Sequence, residues 1–354
     1  MAAPGRHLVQ NWRMAYVLAI HGGAGVIRAG AQQDVYHLAL ADALAVGEAV
    51  LVRGGGALDA VLAAVVALEN CPLFNAGRGA VLTSDSTHEL DAAVMCGAGL
   101  RAGAVAGVRR VRNPVLAAHQ VLADGRYVLL GGEGADRYAA DAGLAMVENG
   151  YFFTALRKAQ LAAVRAARPA DAVLDHSGEP VGPVIATDIA SDIASDLASD
   201  LASDIAPGRA APDSTRFGTV GAVALDRGGH LAAATSTGGM TNKLPGRIGD
   251  TPLVGAGVYA NDSTCAVSAT GTGEHFIRAC IAHDVHARIA YGGASLPDAA
   301  GAAIAGSLAA LGGEGGIIAL GRDGQLAMPF TTRGMYRGWV REGEALQTRI
   351  FGEA

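Results

Sequence analysis

Between Thr187 and Gly208 the chain reads TDIASDIASDLASDLASDIAPG, and this run constrains everything around it. Ile189, Ile193, Leu197, Leu201 and Ile205 recur every four residues, each preceded by an aspartate (188, 192, 196, 200 and 204). An α-helix turns every 3.6 residues, so a stripe of period 4 drifts by roughly 40° per repeat. No continuous apolar face can form, and residues 184–218 read as an acidic, loosely structured linker. The core must therefore be built from the sequence on either side.

Those flanks have the material. Of 354 residues, 51% are hydrophobic and 17% charged, a soluble globular profile. The 50 glycines imply tight turns and close backbone approaches. A net charge of −6 argues against a nucleic-acid partner. Cys71, Cys96, Cys265 and Cys280 form no CxxC pair and read as buried thiols in a reducing compartment. The N-terminus lacks a signal-peptide pattern, Met14 offers an alternative start, and no stretch reads as a membrane span. A cytoplasmic location is expected.

YVLAI (16–20) reads as a buried strand entering the turn HGGAG (21–25), followed by helices over about 36–52 and over ALDAVLAAVVALEN. Pro114 suits a helix start, and YVLLGGEGAD reads as strand, turn and helix cap. Beyond the linker, TVGAVALDRGGHLAAATSTGG reads as two strands joined at 226–229. CAVSATGTGEHFIRACIAHDVHARIAY reads as strand, turn and one helix, and GGIIALGRDGQLAMPF as a strand pair about an Asp-Gly turn. The pattern favours layered α/β packing with antiparallel pairs.

HGGAG is neither a GxGxxG nor a P-loop, and no GxSxG elbow accompanies it. His283 and His286 sit three apart on a helix without an HExxH motif and read as a solvated helix face. The threonines are more telling: Thr219, Thr235, Thr237, Thr270 and Thr272 all fall at glycine-bounded strand ends. A threonine hydroxyl needs a base, and the most compact base is its own α-amine once it becomes the first residue. That amine has a reference pKa of about 7.7–8.0, so part of it is neutral at pH 7. Thr219 is internal, so the Gly218–Thr219 bond must first break; Gly218 tolerates the strained backbone this requires. A loose linker before that bond can enter the site for cleavage and then leave it.

At these residues the chain resembles the plant-type L-asparaginase/isoaspartyl peptidase family of N-terminal-nucleophile (Ntn) hydrolases. The resemblance runs from AIHGGAG (19–25) to MPFTTRGMYRGW (328–339), through ENCPLFNAGRGAVLTSDSTHELDAAVM, AGAVAGV, VRNPVLAA, GTVGAVALD, ATSTGGMTNKLPGRIGDTPLVGAGVYA and TGTGEHFIR. It implies a four-layer αββα sandwich with two central antiparallel sheets. The single domain would be cleaved into an α subunit (1–218) and a β subunit (219–354), paired as a homodimer of heterodimers. It implies Thr219 as nucleophile, Thr237 hydrogen-bonded to it, and Asn75 bracing it. Thr270 and Gly271 would form the oxyanion hole. Substrate would be held by Arg247, Ile248, Gly249, Asp250, Thr270, Gly271, Thr272 and Gly273, with Arg247 on its α-carboxylate and Asp250 on its α-ammonium. No cofactor would be required. The loop of Leu68, Glu69, Cys71, Phe74, Ala76 and Arg78 resembles one that binds a structural sodium ion through backbone carbonyls in related bacterial enzymes, although Asn70 and Arg78 depart from that pattern. The implied substrates are L-asparagine and β-aspartyl dipeptides. The alternatives are an aspartylglucosaminidase-like amidase and a non-catalytic scaffold that binds a partner through the acidic repeat.

Overall fold

A computed structural model describes residues 14–25, 27, 33–167 and 218–352. The acidic repeat and residues 1–13 lie outside the described residues, so the readings placed on them are not addressed by it.

The larger sheet has eight strands. In spatial order they are β12 (Gln347–Arg349), β11 (Gly334–Arg341), β1 (Val17–Gly25), β5 (Val220–Leu225), β6 (Leu231–Thr237), β2 (Leu90–Cys96), β3 (Arg101–Val108) and β4 (Leu129–Gly131). The smaller sheet runs β10 (Leu326–Ala327), β9 (Gly315–Gly321), β8 (Cys265–Gly271), β7 (Val258–Ala260). One ladder departs from the antiparallel expectation: β3 and β4 are parallel. They are joined through helix α3 (Pro114–Asp124), and a crossover of that length is what a parallel pair needs.

Strand periodicity assigns the two faces. On β1, Leu18 and Ile20 join the core beneath α1 (Gln33–Val52) and α2 (Ala57–Asn70), while Val17 and Ala19 join the core shared with the smaller sheet. Helices α1, α2 and α3 pack on the larger sheet, as does α4 (Gly132–Asp141) at its β3–β4 edge, and α5 (Ala155–Ala167) is tied to the loop after α2 by Arg157 Nε, which donates to the Gly79 carbonyl. The smaller sheet carries α7 (Ile281–Ala290) and α8 (Leu296–Gly301), the latter continued by a π-helical run, Ala302–Leu308. Strands β1, β5 and β6 touch β8 across the interface between the sheets.

Helix α1 starts three residues earlier than expected and contains an 18-residue window of mean hydropathy 1.6. That is long and apolar enough to cross a membrane by composition, contrary to the sequence reading. Here Leu40, Leu44 and Leu51 are buried in the core under α2 and β11. The helix expected after TGTG is two helices: α6 (Gly273–Ala279) ends where Cys280 turns left-handed, at φ 47°, and α7 begins. His286 is buried, not solvated, with Nδ1 2.6 Å from Thr264 Oγ1. GGEGAD opens α4 with Gly131 at the N-cap, as expected, and Asp136 within it is a clamp: its carboxylate accepts from the backbone N–H groups of Arg109, Arg110 and Val111. Strands β11 and β12 extend the chain beyond the last expected strand pair.

Candidate active site

The ends of β1, β5, β6 and β8 converge at one point because the two sheets meet there. Thr219 heads β5 and is buried, 5% exposed. A bulge in β1 between His21 and Gly23 makes room for the residue before it. Gly23 has φ +112°, and a Cβ on it would lie 2.8 Å from the Gly218 carbonyl oxygen. HGGAG is therefore the seat of the Gly218–Thr219 linkage, a role invisible in its spacing.

Thr219 Oγ1 lies 3.4 Å from Thr251 Oγ1. Thr251 was not singled out in the sequence; its only local signal is that it follows Asp250. Thr237 lines the same cleft, but its Oγ1 accepts from Gly239 N–H at 3.0 Å and does not bond Thr219. Asn75 also acts at one remove. Its Nδ2 donates to the Gly239 carbonyl at 2.7 Å and its Oδ1 accepts from Val81 N–H, bracing the turn after β6.

Beneath Thr219 lies a buried polar chain. His21 Nε2 and Thr235 Oγ1 each sit 2.8 Å from Ser268 Oγ. Gly221 leaves space for it, since a Cβ there would strike both His21 Nε2 and Ser268 Oγ. Burial drops His21 to a pKa of about 3, so the ring is neutral.

Thr219, Thr251 and Gly271 line one cleft together with Arg247 and Asp250. Asp250 is buried, and among the described residues its Oδ2 has no hydrogen-bond partner. Burial lifts its pKa to about 7, against the opposing pull of Arg247. Such an acceptor is suited to an arriving cation. Gly273 has no side chain to crowd Asp250 Oδ1, which a Cβ would approach at 2.9 Å.

Thr270, fully buried on β8, accepts from Ala24 N–H through Oγ1 at 3.3 Å, leaving its own proton available to donate. Gly271 packs so closely on β9 that a Cβ would come 2.4 Å from the Glu314 carbonyl. Two expected residues point elsewhere. Thr272 Oγ1 is tied to Glu314, and Ile248 is half-exposed outside the cleft lining.

The carbonyl loop follows the C-terminal end of α2. Gly77, at φ +49°, and Gly79 let the Glu69 and Phe74 carbonyls crowd inward; Cβ atoms would come within 2.3 and 2.1 Å of them. The Glu69 side chain has its own task. It accepts from Ser236 Oγ at 2.7 Å, Val115 N–H and Asn113 Nδ2, joining α2 to the residue before Thr237. Burial pushes its pKa up to about 7 despite these three donors. Among the described residues, no group of three His, Cys, Asp or Glu side chains is placed to hold a metal.

With this geometry in view, the family described as Asparaginase matches residues 14–350. The isoaspartyl peptidase of Escherichia coli (strain K12) is 49% identical over 341 residues, covering 95% of this chain and 96% of that protein. The isoaspartyl peptidase of Salmonella typhimurium is 48% identical over 341 residues, covering 95% and 99%. An isoaspartyl peptidase/L-asparaginase from Bos taurus is 33% identical over 338 residues, covering 95% and 97%. The chain belongs to the asparaginase family.

Proposed function

We propose that the protein cleaves itself between Gly218 and Thr219 and then hydrolyses the β-amide of L-asparagine and of β-aspartyl dipeptides. The two sheets, with helices packed on each, support the four-layer Ntn-hydrolase arrangement. The carrying observation is the shared cleft, which Thr219, with its hydroxyl beside Thr251, lines together with Arg247 and Asp250.

The freed α-amine of Thr219 takes the proton from its own Oγ as that oxygen attacks the β-carbonyl. Thr270 Oγ–H and Gly271 N–H donate to the developing oxyanion. The α-ammonium returns the proton to the departing ammonia or amine, and water then hydrolyses the acyl-enzyme. Arg247 and Asp250 hold the substrate's α-carboxylate and α-ammonium. Thr237 and Asn75 set the turn at Gly239 that forms part of the cleft wall.

Cleavage leaves the pieces joined. Strand β1 lies between β5 and β11, and β2 pairs with β6, so strands from before and after the break are hydrogen-bonded into one sheet. Hydrolysis of both L-asparagine and β-aspartyl-leucine, but not of a glycosylated asparagine, is the expected substrate pattern, with a native mass of two α and two β chains. Exclusive action on the glycosylated substrate would favour the aspartylglucosaminidase-like alternative.

Gly23→Ala should slow self-cleavage about tenfold or more, since it strains a positive-φ position and crowds the Gly218 carbonyl. Time-resolved gels of freshly purified protein report the rate; an unchanged rate removes Gly23 from this role.

Asp250 must be ionised to meet an ammonium, and burial lifts its pKa to about 7. Affinity for the product L-aspartate should therefore fall about tenfold per unit as pH drops below that point. Calorimetry of Asp250→Asn should show weaker binding and no such slope; an equally steep slope would assign the titration elsewhere.

The loop from Leu68 to Arg78 fits a structural sodium ion held by the carbonyls of Leu68, Glu69, Cys71, Phe74, Ala76 and Arg78, because two glycines let it wind this tightly. Arg78 would contribute its carbonyl whatever its side chain. The ion would order the loop and take no part in the reaction. Sodium should raise the unfolding temperature relative to choline at equal ionic strength; equal temperatures would remove the ion from this proposal.

A further inference from the structure

Arg247 is held before any substrate arrives. Its Nε and Nη2 donate to Glu274 Oε1 and Oε2 at 2.9 and 2.8 Å, using one edge of the guanidinium. The rest of the fork lies over glycine backbone. A Cβ on Gly249 or Gly239 would come 2.8 or 3.4 Å from Nη1, and one on Gly273 would come 3.0 Å from Nη2. Gly239 and Gly249 line the cleft, so the Nη1 side of the fork faces it.

A guanidinium offers two bidentate edges to carboxylates, on a stem with several rotatable bonds. An unrestrained arginine would have to lose that freedom on binding, and it could present either edge. We infer that Glu274 is a positioning residue for substrate: it occupies the Nε–Nη2 edge of Arg247 and directs the Nη1–Nη2 edge to the substrate's α-carboxylate. Nothing then needs to be displaced, because the edge facing the cleft is not the one Glu274 holds. This inference rests on Arg247 gripping the α-carboxylate, as proposed above. Gly249 and Gly273 complete the device, since a Cβ on either would crowd the fork at 2.8 or 3.0 Å.

The test uses processed Glu274→Ala and Glu274→Gln, with KM and kcat for β-aspartyl-leucine and the calorimetric Kd of L-aspartate. Glu274 is half-exposed, so KM and Kd should both rise about fivefold in Glu274→Ala, with kcat changed less than about twofold. Glu274→Gln keeps one acceptor for Nε and should fall between. Self-cleavage should be normal in both, which reports that the fold is intact. Unchanged KM and Kd, tighter binding, or a loss confined to kcat would overturn the role. Wild-type protein that neither cleaves β-aspartyl-leucine nor binds L-aspartate would overturn the underlying reading as well. An active wild type with indifferent Glu274 variants would overturn this inference alone.

Discussion

Thr219→Ala is expected to remain a single chain and to hydrolyse neither L-asparagine nor β-aspartyl-leucine. Removing a nucleophile that also serves as its own base abolishes both steps, with a loss of about 10³-fold or more. The fold should survive. Among the described residues the Thr219 hydroxyl makes one long hydrogen bond, 3.4 Å to Thr251 Oγ1, so little hydrogen bonding is lost with alanine. Mass spectrometry and circular dichroism on the same sample separate failed chemistry from failed folding. A Thr219→Ala protein that still splits after Gly218 would place the attacking group elsewhere. Thr251→Ala then becomes informative, since Thr251 Oγ1 lies within 3.4 Å of the Thr219 hydroxyl.

Thr270→Val should lower kcat by about 10²–10³-fold while leaving KM within a few-fold of wild type. The hydroxyl already accepts from Ala24 N–H, so its proton is directed to a different acceptor, and the oxyanion exists only once attack has begun. Valine fills the same volume but leaves the Ala24 N–H without its partner, at about 1–3 kcal/mol of stability. Thr270→Ser keeps both hydrogen bonds and controls for that loss; it should retain most activity. A Thr270→Val enzyme within tenfold of wild-type kcat would remove this hydroxyl from the oxyanion site.

How much of this was legible depends on whether the determinant is local. Thr219 could be read because a glycine, a threonine and a strand stand in immediate succession. Arg247 and Asp250 lie in one short turn and were assigned from motif resemblance. Thr251 was missed because its relation to Thr219 spans 32 residues and exists only when the loop after β6 folds back. HGGAG looked like a failed phosphate loop; its meaning depends on Gly218 arriving from across the chain. His286 was misplaced because helix spacing gives no warning that Tyr259 and Thr264 cover that face. The parallel β3–β4 pair was hidden by brevity, since β4 is only three residues long. Glu69 and Asp136 are acidic residues whose partners are N–H or O–H groups on other elements, and such clamps leave no pattern in a linear sequence.

The self-generated nucleophile is tested most directly by N-terminal sequencing of purified, active protein. A second chain beginning Thr219-Val220-Gly221-Ala222, in equal amount to the first, is the expected result. Full activity from an intact chain, with no terminus at Thr219, would contradict it.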